Sequence, residues 1–246
     1  MIVLLDFDDT LSEYSHFIRL YTESMANLLT QTFGGSLENW TRCTIKMVIA
    51  IEADYVARFI GNPLNGYKRW RRHANNLAAD LLFDDAEVTA PPDVVRIVRA
   101  LHNSAVAKSA AIFPGMAETV TSLHQSGIPL CIASGNDSKH IRSAISPLDI
   151  GRFFKRLYGP DLVDCAKEGP EFYARIAQDQ GQRPQEFLVV DNDPAALQWA
   201  SDSGMSVLHV HLLATAPSAR DMFDLPTITN SSDLAQLVLE LAHVHN

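Results

Sequence analysis

The chain is poor in cysteine, in basic residues and in long apolar runs, and each shortage excludes something. Its three cysteines, Cys43, Cys131 and Cys165, have neither paired nor metal-ligand spacing and read as reduced, structural thiols. Lysine and arginine number 20 against 29 aspartates and glutamates, a formal charge of −9. That balance speaks against a general affinity for nucleic acid or an anionic membrane, both of which are held by clustered cations. No stretch approaches the roughly 20 apolar residues that span a bilayer. The N-terminus enters Met1-Ile2-Val3-Leu4-Leu5-Asp6 directly, without a basic leader, an apolar leader core or a small-residue cleavage site, so a cytoplasmic location is the expectation.

What is present is an ordinary globular composition, 47% hydrophobic and 20% charged over 246 residues. This is enough for one large domain or a core with a smaller companion. Ile2–Leu5 is a short continuous apolar run, as expected of a parallel strand covered on both faces. Similar runs follow at Ile128–Ala133, Phe187–Val190 and Val207–Val210, with a weaker one at Arg156–Tyr158. Helical patterns lie between them, Ala117–Gln125 stopping at Gly127 and Phe172–Gln180 stopping at Gly181. Alternation of this kind predicts a parallel sheet with right-handed crossovers.

The stretch from Tyr14 to Ala111 breaks the alternation. Tyr14, Phe17, Ile18, Tyr21, Met25 and Leu28/Leu29 recur at helical spacing, and so do Trp40, Cys43, Met47, Ile51, Tyr55 and Phe59. Gly34-Gly35 separates the two helices, Asn62–Gly66 is a turn, and Pro91-Pro92 opens a further helix. At the other end Ser231-Ser232-Asp233 caps a last helix. The expected plan is an α/β protein with a doubly wound, mainly parallel, Rossmann-like core of residues 1–13 and 112–246, and a helical cap of residues 14–111.

Ligands of parallel sheets bind beyond the carboxyl ends of the strands. The residues just past the apolar runs are Asp6-Phe7-Asp8-Asp9-Thr10, Ser134-Gly135-Asn136 and Asp191-Asn192-Asp193. Two residues apart in extended chain, Asp6 and Asp8 direct their carboxylates to one side. With Asp191 they form a like-charged cluster that needs a cation, and an all-oxygen set with few carboxylates suits Mg2+. Ser134, Gly135 and Asn136 form a strand-to-helix turn whose N–H groups and hydroxyl can hold an anion. Lys167 precedes a helix opened by Pro170 and can add a compact positive charge to the same anion. A carboxylate nucleophile, a metal, a hydroxyl and a lysine make a phosphoryl-transfer set.

Asp6-Phe7-Asp8-Asp9-Thr10-Leu11 resembles the first motif of the haloacid dehalogenase superfamily, and Ser134 after its apolar strand resembles the second. Lys167 in Lys-Glu-Gly-Pro-Glu-Phe and Asp191 in Val-Val-Asp-Asn-Asp-Pro are similar to the third and fourth, and Phe113-Pro114-Gly115-Met116 also looks like family sequence. The resemblance covers the whole core and implies a Mg2+-dependent phosphatase for a small phosphorylated substrate. It implies Asp6 as the nucleophile, Asp8 as general acid and then base, and Ser134 and Lys167 on the phosphoryl group with Gly135, Asn136 and Thr10 around it. Asp6, the Asp8 carbonyl and Asp191 would hold the metal. A carboxylate at Asp8 favours phosphatase over dehalogenase chemistry, because a halide leaves without protonation. The fourth motif departs from the family by placing Asn192, Ala195 and Ala196 where a second acid often stands, so either Asn192 or Asp193 completes the metal site. A phosphomutase and a non-catalytic phosphate-binding module are the alternatives.

Three other features read as structural. Lys68–His73, the densest basic run, is expected to be a solvated helix face. His209 and His211 alternate along a strand without a third ligand, and Trp40, Tyr55 and Phe59 fit a core stripe.

Overall fold

The structure is a computed structural model that describes residues 1–213 and 227–244. Strand β1 (Ile2–Leu5) runs continuously apolar because both of its faces are covered. Val3 and Leu5 enter one buried apolar cluster, while Leu4 enters a second. The same two-residue alternation sorts β2 (Leu130–Ala133) and β4 (Phe187–Asp191): Leu130, Ile132, Leu188 and Val190 face the first cluster, and Cys131, Ala133, Phe187 and Val189 the second. With β3 (Phe154–Tyr158), β5 (Ser206–Val210) and the short β6 (Thr227–Ile228), these strands form one sheet ordered β3-β2-β1-β4-β5-β6. Every pairing is parallel. The order reverses beside β1, which opens a crevice at the carboxyl ends of β1, β2 and β4.

On the first face lie α5 (Met116–Gln125), α6 (Ser138–Ile145) and α10 (Ser231–Val244), contributing Val120, Leu123, Ile141, Leu234 and Val238. On the second lie α8 (Pro170–Gln180) and α9 (Pro194–Asp202), with Phe172, Tyr173, Ile176 and Leu197, beside the single turn α7 (Pro160–Val163). The sheet is doubly wound, as the sequence pattern predicts. Strand β6 carries no run long enough to be read from sequence.

Between β1 and β2 the chain forms α1 (Tyr14–Phe33), α2 (Leu37–Phe59), α3 (Tyr67–Asp84) and α4 (Val94–Lys108). Phe33, Trp40 and Phe83 meet edge-on or tilted at 5.1–6.1 Å between ring centres. Phe17, Tyr21, Met25 and Val98 join the cluster that contains Val3 and Leu5, so apolar packing is continuous from the sheet into these helices. A separate cluster of Phe59, Tyr67, Trp70 and Ala74 takes in Ala166, the neighbour of Lys167. No helix among the described residues is long and apolar enough to cross a membrane.

Candidate active site

Asp6 extends β1 by one residue, its backbone N–H donating to the Val190 carbonyl of β4 at 2.9 Å. The chain then folds back: Asp9 takes a left-handed backbone, φ 56°, and the N–H groups of Leu11 and Ser12 both donate to the Phe7 carbonyl. The Asp9 carboxylate accepts from the Tyr14 N–H at 2.9 Å, so Asp9 starts α1 and stays a turn residue. Asp6 and Asp8 are left at the head of the crevice.

Lys167 ties two strand ends together. Its ammonium lies 2.6 Å from Asp6 Oδ1 and 2.7 Å from Asp191 Oδ2, with Asp6 6%, Lys167 9% and Asp191 1% exposed. Burial alone pushes Lys167 down, but the Asp191 and Asp6 carboxylates more than offset it and hold the ammonium well above its ordinary range. Burial raises Asp6, with the Asp8 charge adding to it and Lys167 opposing. Burial and the Asp6 charge push Asp191 up to about 7. Asp8 is also raised to about 7 by burial, against the Lys167 charge and a 2.5 Å hydrogen bond donated by the Asn136 amide. Its second oxygen, Oδ1, is buried without a partner.

Ser134 continues β2, its N–H donating to the Tyr158 carbonyl at 3.0 Å, and its side chain is fully buried. Its hydroxyl oxygen accepts from the Asn136 N–H at 3.1 Å, which leaves the hydroxyl proton free to be donated. A Cβ at Gly135 would meet nothing within 4 Å, so that backbone faces open space. The cap of α6 is Asp137, whose carboxylate accepts from the N–H groups of Lys139 and His140. Thr10 donates to the Asn192 side-chain oxygen at 3.1 Å, and Asp193 caps α9 through the Ala195 N–H at 2.9 Å. Of the two residues left open for a metal site, Asp193 is thus engaged by its helix and Asn192 by Thr10.

A cavity of about 570 Å³ opens beside Asp8, Gly135 and Asn136 and runs between α1, α2, α3, α4 and α6. The sequence reading missed most of its polar lining. Arg71 is not on a solvated face: its Nε sits 2.5 Å from Asp137 Oδ2, and Trp70 beside it is buried with its indole N–H on Asp54 at 2.6 Å. The tryptophan at the centre of the basic run was the available signal, since one apolar residue among cations marks the inward side of a helix. Burial opposes ionisation of Asp137, yet Arg71 and the His140 N–H hold it below the usual carboxylate range. Tyr55, assigned to the core stripe with Trp40 and Phe59, packs its ring against Phe59 and Trp70 at 5.1 and 5.3 Å and also reaches the cavity, its hydroxyl donating to Glu168 at 3.0 Å. Trp40 and Phe59 are buried as expected. His102 and His140 also line the cavity, and nothing in the sequence set them apart. His209 bonds the Asn192 carbonyl and Thr227, joining β5 to β6 as a structural residue.

Among the described residues no group of three or more His, Cys, Asp and Glu side chains is arranged as a ready metal cluster. Asp6, Asp8 and Asp191 nevertheless set three carboxylates against one ammonium, with an orphaned oxygen on Asp8. This hard-oxygen set, with few carboxylates, fits Mg2+ completed by a backbone carbonyl, water and a phosphoryl oxygen.

A doubly wound sheet with acidic and basic side chains from four chain segments at its switch point defines an α/β enzyme architecture. The family model of haloacid dehalogenase-like hydrolases matches residues 1–204, and the chain belongs to that family. Among curated relatives, the phosphoglycolate phosphatases of Salmonella typhimurium and Shigella boydii are 28% and 30% identical over 114 residues. That stretch is 45% of this chain and 45% of theirs, so the chain spans about half the length of the curated relatives it matches. Among solved structures, the HAD-hydrolase YfnB from Bacillus subtilis, described as bound to magnesium, aligns with a TM-score of 0.64 at 12% identity, covering 96% of this chain and 97% of that one. A HAD phosphatase from Thermococcus onnurineus aligns at 0.63 with 17% identity and the same coverage. These likenesses show a shared fold.

Proposed function

We propose that the protein is a Mg2+-dependent phosphatase that hydrolyses a small phosphorylated metabolite through a phosphoaspartate on Asp6. The observation that carries this reading is the buried bridge from Lys167 to both Asp6 and Asp191, with Asp8 two residues on and held by Asn136. A carboxylate poised at a charge-compensated, water-poor site is a nucleophile for phosphorus rather than a structural ion pair. The phosphatase names and the magnesium description carried by relatives and neighbours agree with it.

In the first half-reaction Asp6 Oδ attacks phosphorus and the ester P–O bond breaks, the leaving alkoxide taking a proton from the Asp8 carboxyl. A group raised to about 7 by burial is available as that acid at neutral pH. Ser134, through its unused hydroxyl proton, and Lys167 hold the phosphoryl oxygens, with Gly135, Asn136 and Thr10 shaping the loops beside them. In the second half-reaction water attacks the same phosphorus while the Asp8 carboxylate takes its proton, and the bond to Asp6 breaks to release phosphate. Asp6, the Asp8 carbonyl and Asp191 would hold Mg2+, which when bound supplies the positive charge that offsets the carboxylates and the phosphoryl oxygens. Residues 14–111 serve as a cap over the core of residues 1–13 and 112–246, excluding water and selecting substrate.

The test is phosphate release from p-nitrophenyl phosphate, with and without Mg2+. Release that requires the metal, vanishes in Asp6→Asn and falls roughly 10²–10⁴-fold in Asp8→Asn is expected. Release that is unchanged in Asp6→Asn sinks the mechanism.

A further inference from the structure

Lys167 joins two strand ends of the sheet, yet the segment that carries it, Asp164–Gly169, is held from two sides. The sheet domain ties it through the backbone. Arg175 donates to the Val163 and Asp164 carbonyls, the Cys165 thiol to the Ala166 carbonyl, and the Phe172 N–H to the Gly169 carbonyl. The residues on either side of Lys167 are met by the inserted helices. The Ala166 N–H donates to the Pro63 carbonyl at 2.8 Å, and Ala166 is fully buried in a cluster with Phe59, Tyr67 and Trp70. The Glu168 carboxylate accepts from the Tyr55 hydroxyl at 3.0 Å. The Pro63 ring lies so near Gly169 that an added Cβ there would stand 3.1 Å from its Cγ.

The dependence runs the other way as well. Helix α3 starts at Gly66, which has no side chain to offer the free N–H groups of the first turn. The Lys68 N–H donates instead to Asp164 Oδ1 at 3.0 Å, so a carboxylate of the sheet domain completes a helix of the insertion. Between these ties Lys167 must place one ammonium 2.6 Å from Asp6 and 2.7 Å from Asp191 at the end of a flexible four-carbon stem. Where the stem starts decides where the charge arrives, and a displacement of about 1 Å can cost about 10²-fold in rate.

We infer that Tyr55 and Pro63 are positioning residues for Lys167, which bears on the phosphoryl group only while α2 and the Asn62–Gly66 turn are docked on Asp164–Gly169. The inference rests on the phosphatase reading and adds that the inserted helices complete the phosphate site as well as covering it. Linkage makes the effect reciprocal: an anion held by Lys167 must tighten the docking in turn.

The experiment uses the full chain with Mg2+ and has two readouts. In Tyr55→Phe, which keeps the ring and removes one hydrogen bond to a carboxylate, kcat/KM for p-nitrophenyl phosphate should fall about tenfold and inhibition by inorganic phosphate should weaken by a similar factor. Added to Lys167→Met, the same change should do nothing further, because the group it acts through is gone. The second readout is amide hydrogen exchange at Lys68, a residue of the insertion whose N–H reports the docking from across the joint. Saturating inorganic phosphate should slow it at least about tenfold in the parent, while the Trp40 N–H, bonded to Ser36 within the insertion, stays as it was. Exchange at Lys68 that ignores phosphate, or phosphate inhibition unmoved by Tyr55→Phe, overturns the positioning role and leaves the phosphatase reading standing. The exchange of the parent decides the point even if a variant fails to fold. No phosphate release from p-nitrophenyl phosphate or any other ester overturns the phosphatase reading and this inference together.

Discussion

At the scale of single residues, the centre of the molecule is a balance of buried charge. Lys167 offers one ammonium to Asp6 and Asp191, and neither carboxylate is listening to solvent: both are almost wholly buried. Removing one partner of such a bridge leaves uncompensated charge and costs roughly 3–5 kcal/mol. Lys167→Met in the presence of a chelator should therefore unfold at markedly lower denaturant than the parent. Adding Asp191→Asn should restore part of that loss, because it removes one of the two stranded carboxylates. If the double variant is no more stable than the single one, the lysine is not compensating these charges. Asp6, Asp8, Ser134 and Asp191 were legible in sequence because each follows an apolar run, where a parallel sheet exposes its carboxyl ends. Arg71, Asp137, His102 and His140 were not, because their meeting depends on how α3, α4 and α6 pack, and no spacing rule reports a contact between helices far apart in sequence.

At the scale of elements, the loop from β2 to α6 holds Asn136 against Asp8, and it is kept in place by the strand beside it. Gly159, which follows β3, has its α-carbon so close to this loop that an added Cβ would lie 2.3 Å from the Asn136 carbonyl and 2.7 Å from the Ser138 N–H. Those are backbone atoms and cannot swing aside. Gly159→Ala should push the loop away from β3, cost about 1–3 kcal/mol of stability as overpacking does, and weaken the hold of Asn136 on Asp8. Phosphate release should fall along with thermal stability, whereas Gly181→Ala, with open space around its Cβ and φ 64° at the end of α8, should cost stability without touching release. Equal activity in the parent and Gly159→Ala would mean that the loop has room the structure does not show. The strands themselves were readable since their apolar runs divide cleanly between two clusters, residue by residue. Strand β6 was not, for among the described residues it pairs only His209 with Thr227 and Val210 with Ile228, too few to show a period of their own.

At the scale of the whole molecule, the inserted helices and the sheet domain share one apolar cluster, and His102 and His140 lie where they meet. Around these rings stand Tyr21 from α1, Arg71 from α3 and the Asp137 carboxylate at the start of α6. Unfolding returns each histidine to an ordinary value near 6.5, while burial holds them at about 3 and about 4 in the fold. Between those limits the unfolded chain binds more protons, so their contribution is complete above about pH 6.5 and is lost as pH falls toward 4. Asp8 and Asp191, raised to about 7, act with the opposite sign, since the folded chain then takes up protons first as pH drops. A bare melting curve against pH mixes the two. The difference between the parent and a His102→Gln/His140→Gln double variant separates them, because the carboxylates are common to both. That difference, measured as a shift in melting temperature, should be largest at pH 7–8 and shrink by pH 4.5, as protonation of the parent's rings brings a buried charge into the joint between helices and sheet. A gap that stays constant over that interval would mean the rings are already charged, or already solvated, in the folded protein.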